Sequence, residues 1–112
     1  MIFTNGLEEC EGLIARDIFM RSGIEVEMMN INNEENIISS HQLEIKVNPY
    51  HEDVSSYDAL VIPGGKAGTI NNDSSTRIDY LLNEFNKNNR LIAAICAAPS
   101  ILGKRGYLKN RK

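Results

Sequence analysis

The sequence predicts an α/β fold in which helices cover both faces of a parallel β-sheet. Short apolar runs at Ile24–Ile31, Asp58–Ile62 and Leu91–Ile95 are typical of strands, and helix-like segments separate them. Two of these runs end in unusual turns: Pro63-Gly64-Gly65 follows the second, and Cys96 among small residues follows the third. The carboxyl ends of parallel strands meet at one edge of a sheet, so we expect both turns to lie together there.

The first elements are a short strand and a helix. Met1–Thr4 is typical of the end of a strand, and Asn5-Gly6 marks a turn. Acidic residues then occupy the first turn of a helix, where the helix dipole favours them, and Ser22-Gly23 ends that helix. Its apolar residues share one face, which we expect to pack on the sheet: Cys10, Leu13, Ile14 and Ile18.

The middle of the chain is mixed. Asn32–Ser40 is polar and predicted to be a loop, whereas Leu43–Val47 alternates in the manner of an edge strand or hairpin arm. Ser74 or Ser75 can cap a helix that runs to about Asn88. The residues predicted to form its buried face are Ile78, Leu81, Leu82 and Phe85. A short helix from Pro99 to Gly103 follows the last strand.

Composition limits the function classes. With 112 residues the chain is one domain, residues 1–112, and a net charge of −3 provides no basic stripe for nucleic acid. The two cysteines are too few for a disulfide framework or a zinc site, so we expect no metal and a reducing, cytoplasmic compartment. No apolar run is long enough to cross a membrane.

Cys96 is the candidate nucleophile. A buried strand, small residues and Pro99 are the pattern of a nucleophile elbow, which presents one side chain above the sheet beside free backbone amides. An isolated cysteine in an apolar run is also typical of a buried structural residue. Pro63-Gly64-Gly65 can likewise bring backbone amides to a ligand or form an ordinary turn. The residues alone leave these alternatives open.

Three segments taken together resemble the ThiJ/PfpI family: Gly-Leu-Glu-Glu-Cys-Glu at 6–11, Val-Ile-Pro-Gly-Gly-Lys-Ala-Gly-Thr at 61–69, and Ala-Ala-Ile-Cys-Ala-Ala-Pro-Ser-Ile-Leu at 93–102. The resemblance runs nearly end to end, in the same order and spacing. It implies a flavodoxin-like three-layer sandwich with a nucleophile elbow, usually a homodimer.

The resemblance also implies roles for particular residues. Cys96 is the reactive thiolate, Glu11 is a carboxylic acid hydrogen-bonded to it, and the amides of Gly65 and Ala97 form a cradle like an oxyanion hole. Amides aimed at the sulfur would favour the thiolate, which is the reactive form. Among the acids of the first helix, only the resemblance distinguishes Glu11, and Glu8 and Glu9 are expected to be solvated.

Three further residues are candidates for the pocket by the same resemblance: Gly64, His41 and Arg21. His41 is more simply a surface histidine, and Arg21 is expected to pair with a carboxylate at the helix end or at a dimer contact. His51 is expected to face solvent, and a disulfide between Cys10 and Cys96 is a minority interpretation.

The activity that the resemblance implies is a cofactor-free glyoxalase or deglycase acting on reactive aldehydes such as methylglyoxal, or on their adducts, through the Cys96 thiolate. The alternative is a non-enzymatic oxidative-stress sensor or chaperone switched by oxidation of Cys96. A protease or amidase of the wider superfamily ranks third, because the histidines, His41 and His51, both precede the elbow.

The chain stops where the family continues. Relatives extend past the position of Lys112 through further strands and a closing helix, so we expect an incomplete amino-terminal part of the domain. A complementary carboxyl-terminal fragment would then cover the apolar faces that this part leaves open.

Overall fold

The computed structural model describes residues 1–112 as four helices and four strands. The helices are α1 (Glu9–Arg21), α2 (Lys66–Asp73), α3 (Thr76–Lys87) and α4 (Pro99–Lys104). The strands are β1 (Asn36–Ile38), β2 (Glu44–Lys46), β3 (Ala59–Ile62) and β4 (Leu91–Ala94).

The parallel sheet is built around β3 and β4, which pair with Ala59 opposite Leu91. On the other side of β3, Ile2 donates a hydrogen bond to the Val61 carbonyl at 3.0 Å. Phe3 in turn donates to Met29 at 2.9 Å. The backbone order is therefore Met29, Ile2, β3, β4, which is the flavodoxin-like order, as predicted. The first two predicted strands are shorter than expected, single bridges at Ile2 and Met29.

Helix α3 forms the core on one face of the sheet. Ser75 caps it by accepting a hydrogen bond from the Arg77 amide at 3.2 Å, as predicted. The four residues predicted to be buried are buried, and the elbow helix α4 adds to the same core with Ile101 and Leu102. This packing fixes the position at which β4 turns into α4.

Helix α1 has the predicted length but only part of the predicted buried face. Ile14 and Ile18 are 58% and 56% exposed, and Cys10 is exposed as well. The helix instead packs through Gly12, where an added Cβ would lie 2.9 Å from Phe3 Cζ. Of the residues predicted for this face only Leu13 packs on the core, so the pattern of large apolar residues indicated the face only in part, and the closest contact is made by a residue with no side chain.

Two elements were missed and one strand is less buried than predicted. Residues Asn36–Ile38, placed in a loop, form β1 and pair antiparallel with β2 in a hairpin, so the prediction of a hairpin arm at 43–47 is confirmed. No helix was predicted where α2 lies, at Lys66–Asp73. Strand β4 was expected to be fully buried, but it pairs with β3 alone and Leu91 is 65% exposed.

The second face of the sheet carries an open groove of about 870 Å³ between α1 and the strands. Phe19 and Ile24 line it on one side, and Val61, Leu91 and Ala93 line it on the other. Helix α1 covers this face at Phe3, so helices lie on both faces as expected, but the part of the second face formed by Val61, Leu91 and Ala93 is open. None of the helices has the length and apolar character needed to span a bilayer.

Candidate active site

Cys96 lies on a sharp turn between β4 and α4. Its φ angle is 62°, in the left-handed region that residues with a side chain rarely adopt, which costs about 1 to 2 kcal/mol. Hydrogen bonds on both sides hold the turn: Ile95 donates to the Ile62 carbonyl at 3.3 Å and Ala98 donates to the Ile95 carbonyl at 3.1 Å. The thiol is free and exposed. The interpretation of Cys96 as a buried structural residue is therefore wrong.

Gly64 is the point where the strand ends meet. A Cβ at this position would lie 2.5 Å from Glu11 Oε2, 2.8 Å from Cys96 Cβ and 2.9 Å from the Ile95 carbonyl oxygen. Real Cβ atoms essentially never approach other atoms this closely. The absence of a side chain at Gly64 thus allows the Glu11 carboxyl group and Cys96 to pack against the same point.

The carboxyl group of Glu11 reaches this point from the first turn of α1. The Gly64 amide donates a hydrogen bond to Glu11 Oε2 at 2.8 Å, and the Glu11 amide donates to Glu8 Oε2 at 3.0 Å. The structure contains no hydrogen bond between Glu11 and the Cys96 sulfur, and Glu11 Oε1 has no partner. That second oxygen is the one available to a proton shared with the thiol or with a substrate.

Two backbone amides that follow the contact between Gly64 and Cys96 are free. Neither the Gly65 nor the Ala97 amide donates a hydrogen bond within the protein. Gly65 has a φ angle of 94°, and a Cβ there would lie 2.5 Å from the Glu8 nitrogen and from the Gly6 carbonyl oxygen. Only glycine fits this conformation and this close backbone contact. Unpaired amides at the end of a sheet are the groups that stabilise a thiolate or an oxyanion.

Glu9, the first residue of α1, forms an ion pair with His41 that the sequence did not reveal. His41 Nδ1 is 2.6 Å from Glu9 Oε1, and the Ser40 hydroxyl donates to Glu9 Oε2 at 3.1 Å. Although burial opposes the shift, hydrogen bonds from the Glu9 amide, Ser39, His41 and Ser40 lower the pKa of Glu9 to about 2. Glu8 and Glu9 are therefore not the solvated acids predicted: Glu8 caps α1, and Glu9 holds the imidazole.

Glu8, Glu9 and His41 also offer three metal-ligating atoms within 4.8 Å of one another. The hydrogen bond between His41 and Glu9 and the cap made by Glu8 already account for their positions. We therefore treat the group as an ion pair and a helix cap.

The remaining predicted residues lie elsewhere. Arg21 is in the last turn of α1, where its Nε lies 2.9 Å from Asp17 Oδ2, a carboxylate at the helix end as expected. Glu11 lies in the first turn of the same helix, so Arg21 is remote from it. His51 was expected to face solvent, but its Nε2 lies 2.6 Å from Glu27 Oε1 and the residue is only partly exposed.

Comparison with known proteins gives the family. The sequence profile of the DJ-1/PfpI family matches residues 1–112. Protein dj-1beta of Drosophila melanogaster is 36% identical over 113 residues, which cover 99% of this chain and 60% of the relative. The Parkinson disease protein 7 homolog of Danio rerio is 32% identical and is covered to 58%.

Solved structures agree with this assignment. The crystal structure of Drosophila melanogaster DJ-1beta superposes with a TM-score of 0.87, over 94% of this chain and 57% of that chain. The structure of oxidized Toxoplasma gondii DJ-1 has a TM-score of 0.90 at 28% identity, over 97% and 61% of the two chains. The chain thus spans about 60% of the length of these relatives. It belongs to the DJ-1/PfpI family.

Proposed function

We propose that this chain provides the reactive site of a cofactor-free glyoxalase or deglycase, which acts on reactive aldehydes such as methylglyoxal or on their adducts. The observation that carries the proposal is a pair of unpaired amides, Gly65 and Ala97, which follow directly after the two residues that pack together, Gly64 and Cys96, while the thiol of Cys96 is exposed. Attack of a thiolate on a carbonyl creates an oxyanion, and paired amides are the groups that stabilise it.

The reaction balances without a cofactor. The Cys96 sulfur bonds to the aldehyde carbon, the carbonyl electrons move to oxygen, and the oxygen takes up a proton to give a hemithioacetal. The carbon that bears sulfur then loses its proton to give an enediolate, and the neighbouring carbon takes a proton up. The hydroxyl proton passes to the second oxygen, which gives a thioester with a hydroxyl group on the neighbouring carbon. Water cleaves the thioester, so that a hydroxy acid leaves and the thiol is regenerated. In this proposal Glu11 exchanges a proton with the sulfur or the new hydroxyl group, and its unpartnered Oε1 supports that role.

The test measures conversion of methylglyoxal to lactate without added cofactor. Cys96→Ser should abolish it, because a serine hydroxyl is a far weaker nucleophile than a thiolate at neutral pH. Cys10→Ser is the matched control, since Cys10 is also a free, exposed thiol but lies outside the site. Absence of lactate from the wild-type protein, or equal loss in both variants, would overturn the proposal.

A second candidate function is redox sensing through Cys96. The exposed sulfur beside free amides favours it, because the same amides would stabilise a sulfinate. One of the structural relatives, Toxoplasma gondii DJ-1, was solved in an oxidized form. If the protein is a sensor and not an enzyme, the wild type makes no lactate from methylglyoxal. Cys96→Ser then removes only the response to peroxide.

We also propose two protein partners. The exposed Ile14 and Ile18 of α1 support a homodimer, and the open edge of β4 with its adjacent groove supports a complementary carboxyl-terminal segment of the domain. Native mass spectrometry distinguishes a dimer from a monomer and from a complex with a second fragment. Both cysteines are free, which suits a reducing compartment such as the cytoplasm.

A further inference from the structure

The pair formed by Glu9 and His41 has the geometry of an oriented base. Glu9 is only 15% exposed at its side chain, whereas His41 is 73% exposed. Since Glu9 Oε1 lies 2.6 Å from His41 Nδ1, the carboxylate holds the Nδ1 proton and fixes the tautomer. His41 Nε2 has no hydrogen-bond partner and is left as the free basic nitrogen. This is the arrangement by which a carboxylate prepares a histidine for proton transfer.

The turn that carries His41 is docked on the loop before α1. The Ser40 amide donates to the Leu7 carbonyl at 2.8 Å, and the Ile38 amide donates to Asn5 Oδ1 at 2.8 Å. Gly6 returns a hydrogen bond to the Ile38 carbonyl at 2.9 Å. Three hydrogen bonds to the strand-end loop therefore hold the turn, and Glu9 holds the imidazole.

A short chain of contacts leads from this histidine to the cysteine. His41 Nδ1 is 3.6 Å from Glu8 Oε1, and the Glu8 amide donates to the Gly64 carbonyl at 3.1 Å. Gly64 is the residue against which Cys96 packs. Three polar groups face the imidazole. Two are the carboxylates of Glu8 and Glu9 at the start of α1, and the third is the Ser40 hydroxyl group, which lies 3.3 Å from His41 Nδ1. Glu8 thus connects the imidazole to Gly64, and through Gly64 to the turn that carries Cys96.

We propose that His41 is the proton-transfer residue of this site, with Glu9 as the residue that positions it. This inference rests on the proposed function. His41 Nε2 takes the proton from the carbon that bears sulfur in the hemithioacetal, directly or through one water, and the electron pair of that C–H bond forms an enediolate. The imidazolium then returns the proton to the neighbouring carbon, so the thioester forms and His41 is neutral again. Glu11 remains free for the sulfur and the oxygen.

The test compares His41→Gln with His51→Gln in the full chain, with methylglyoxal as substrate. Loss of a general acid and base lowers kcat by about 10² to 10⁴-fold, and we expect His41→Gln to fall in this range with little change in KM. His51→Gln should behave as the wild type, since His51 pairs with Glu27 where the strands begin. In Glu9→Gln, His41 remains but loses its charged partner, so kcat should fall less than it does in His41→Gln.

Alkylation of Cys96 by iodoacetamide separates catalysis from structure. We expect the same rate in His41→Gln as in the wild type, because the thiol and its amides are untouched. A kcat within twofold of wild type, an equal loss in His51→Gln, or a parallel loss of alkylation would overturn the inference while the proposed function survives. Absence of lactate from the wild type would instead overturn both.

Discussion

The packing at Gly64 makes the sharpest stability prediction. Replacing Gly64 by alanine adds a Cβ that would lie 2.5 Å from Glu11 Oε2, 2.8 Å from Cys96 Cβ and 2.9 Å from the Ile95 carbonyl oxygen. The backbone φ angle at Gly64 is not in the left-handed region, so the added methyl group acts through space alone. Two of the three neighbours belong to the elbow, which cannot move without breaking its own hydrogen bonds. The Glu11 side chain is therefore the group expected to give way.

The cost has two parts. Overpacking of a closely packed site typically costs about 1 to 3 kcal/mol. Displacing Glu11 also breaks its hydrogen bond with the Gly64 amide, and hydrogen bonds to charged groups contribute about 1.5 to 3 kcal/mol. Movement of the Glu11 side chain relieves the clash but breaks the hydrogen bond, so the two costs do not add in full. We expect a total loss of about 2 to 4 kcal/mol in the free energy of unfolding.

Urea denaturation of Gly64→Ala measures that loss directly. Gly103→Ala is the matched control, because a Cβ there meets only Leu108 Cδ1 at 3.8 Å and the residue lies in α4. Alanine is the better helix former by about 0.5 to 1 kcal/mol, so this variant should be as stable as the wild type or more stable. A Gly64→Ala protein within about 0.5 kcal/mol of wild type would refute the packing argument.

The capping interaction and the ion pairs of α4 give two further predictions. Ser75→Ala removes the cap of α3 and should lower stability by about 0.5 to 2 kcal/mol, as measured by thermal unfolding. Ser74→Ala is the control and should cost less, because Ser74 does not cap α3. Hydrogen bonds from Lys104 and Arg105 lower the pKa of Asp73, so its contribution to stability is present above its ordinary pKa of 3.8 and is lost as pH falls below it. Because solvent screens these partly exposed pairs, Asp73→Asn should cost no more than about 1 kcal/mol at pH 7, and urea titrations should show that difference shrinking below about pH 4; a constant difference would contradict the assignment.

The sequence revealed those elements whose buried faces are made of large apolar side chains. Helix α3 was predicted in position, cap and buried face because Ile78, Leu81, Leu82 and Phe85 recur at helical spacing. Helix α2 was missed since its buried residues are Gly68, Thr69 and Asn72, which form no apolar pattern. The same reason explains the partly misplaced face of α1, where Gly12 makes the closest contact.

The site was predicted only in part. The elbow at Cys96 follows from the local pattern of small residues and Pro99, but Glu11 was selected by family resemblance alone. The pair of Glu9 and His41 joins residues 32 positions apart through a hairpin of which only the second strand was predicted. Such a contact depends on how the β1–β2 turn docks on α1, which no local pattern encodes.

The most direct test of the central claim compares the two cysteines. Cys96 and Cys10 are both free and exposed, so they differ in surroundings rather than in access. Peptide mass spectrometry after brief treatment with iodoacetamide at pH 7 gives each alkylation rate within one sample. If the Gly65 and Ala97 amides stabilise the thiolate, Cys96 should react about tenfold faster than Cys10 or more. Equal rates, or a slower Cys96, would contradict the account of a reactive thiol at this elbow.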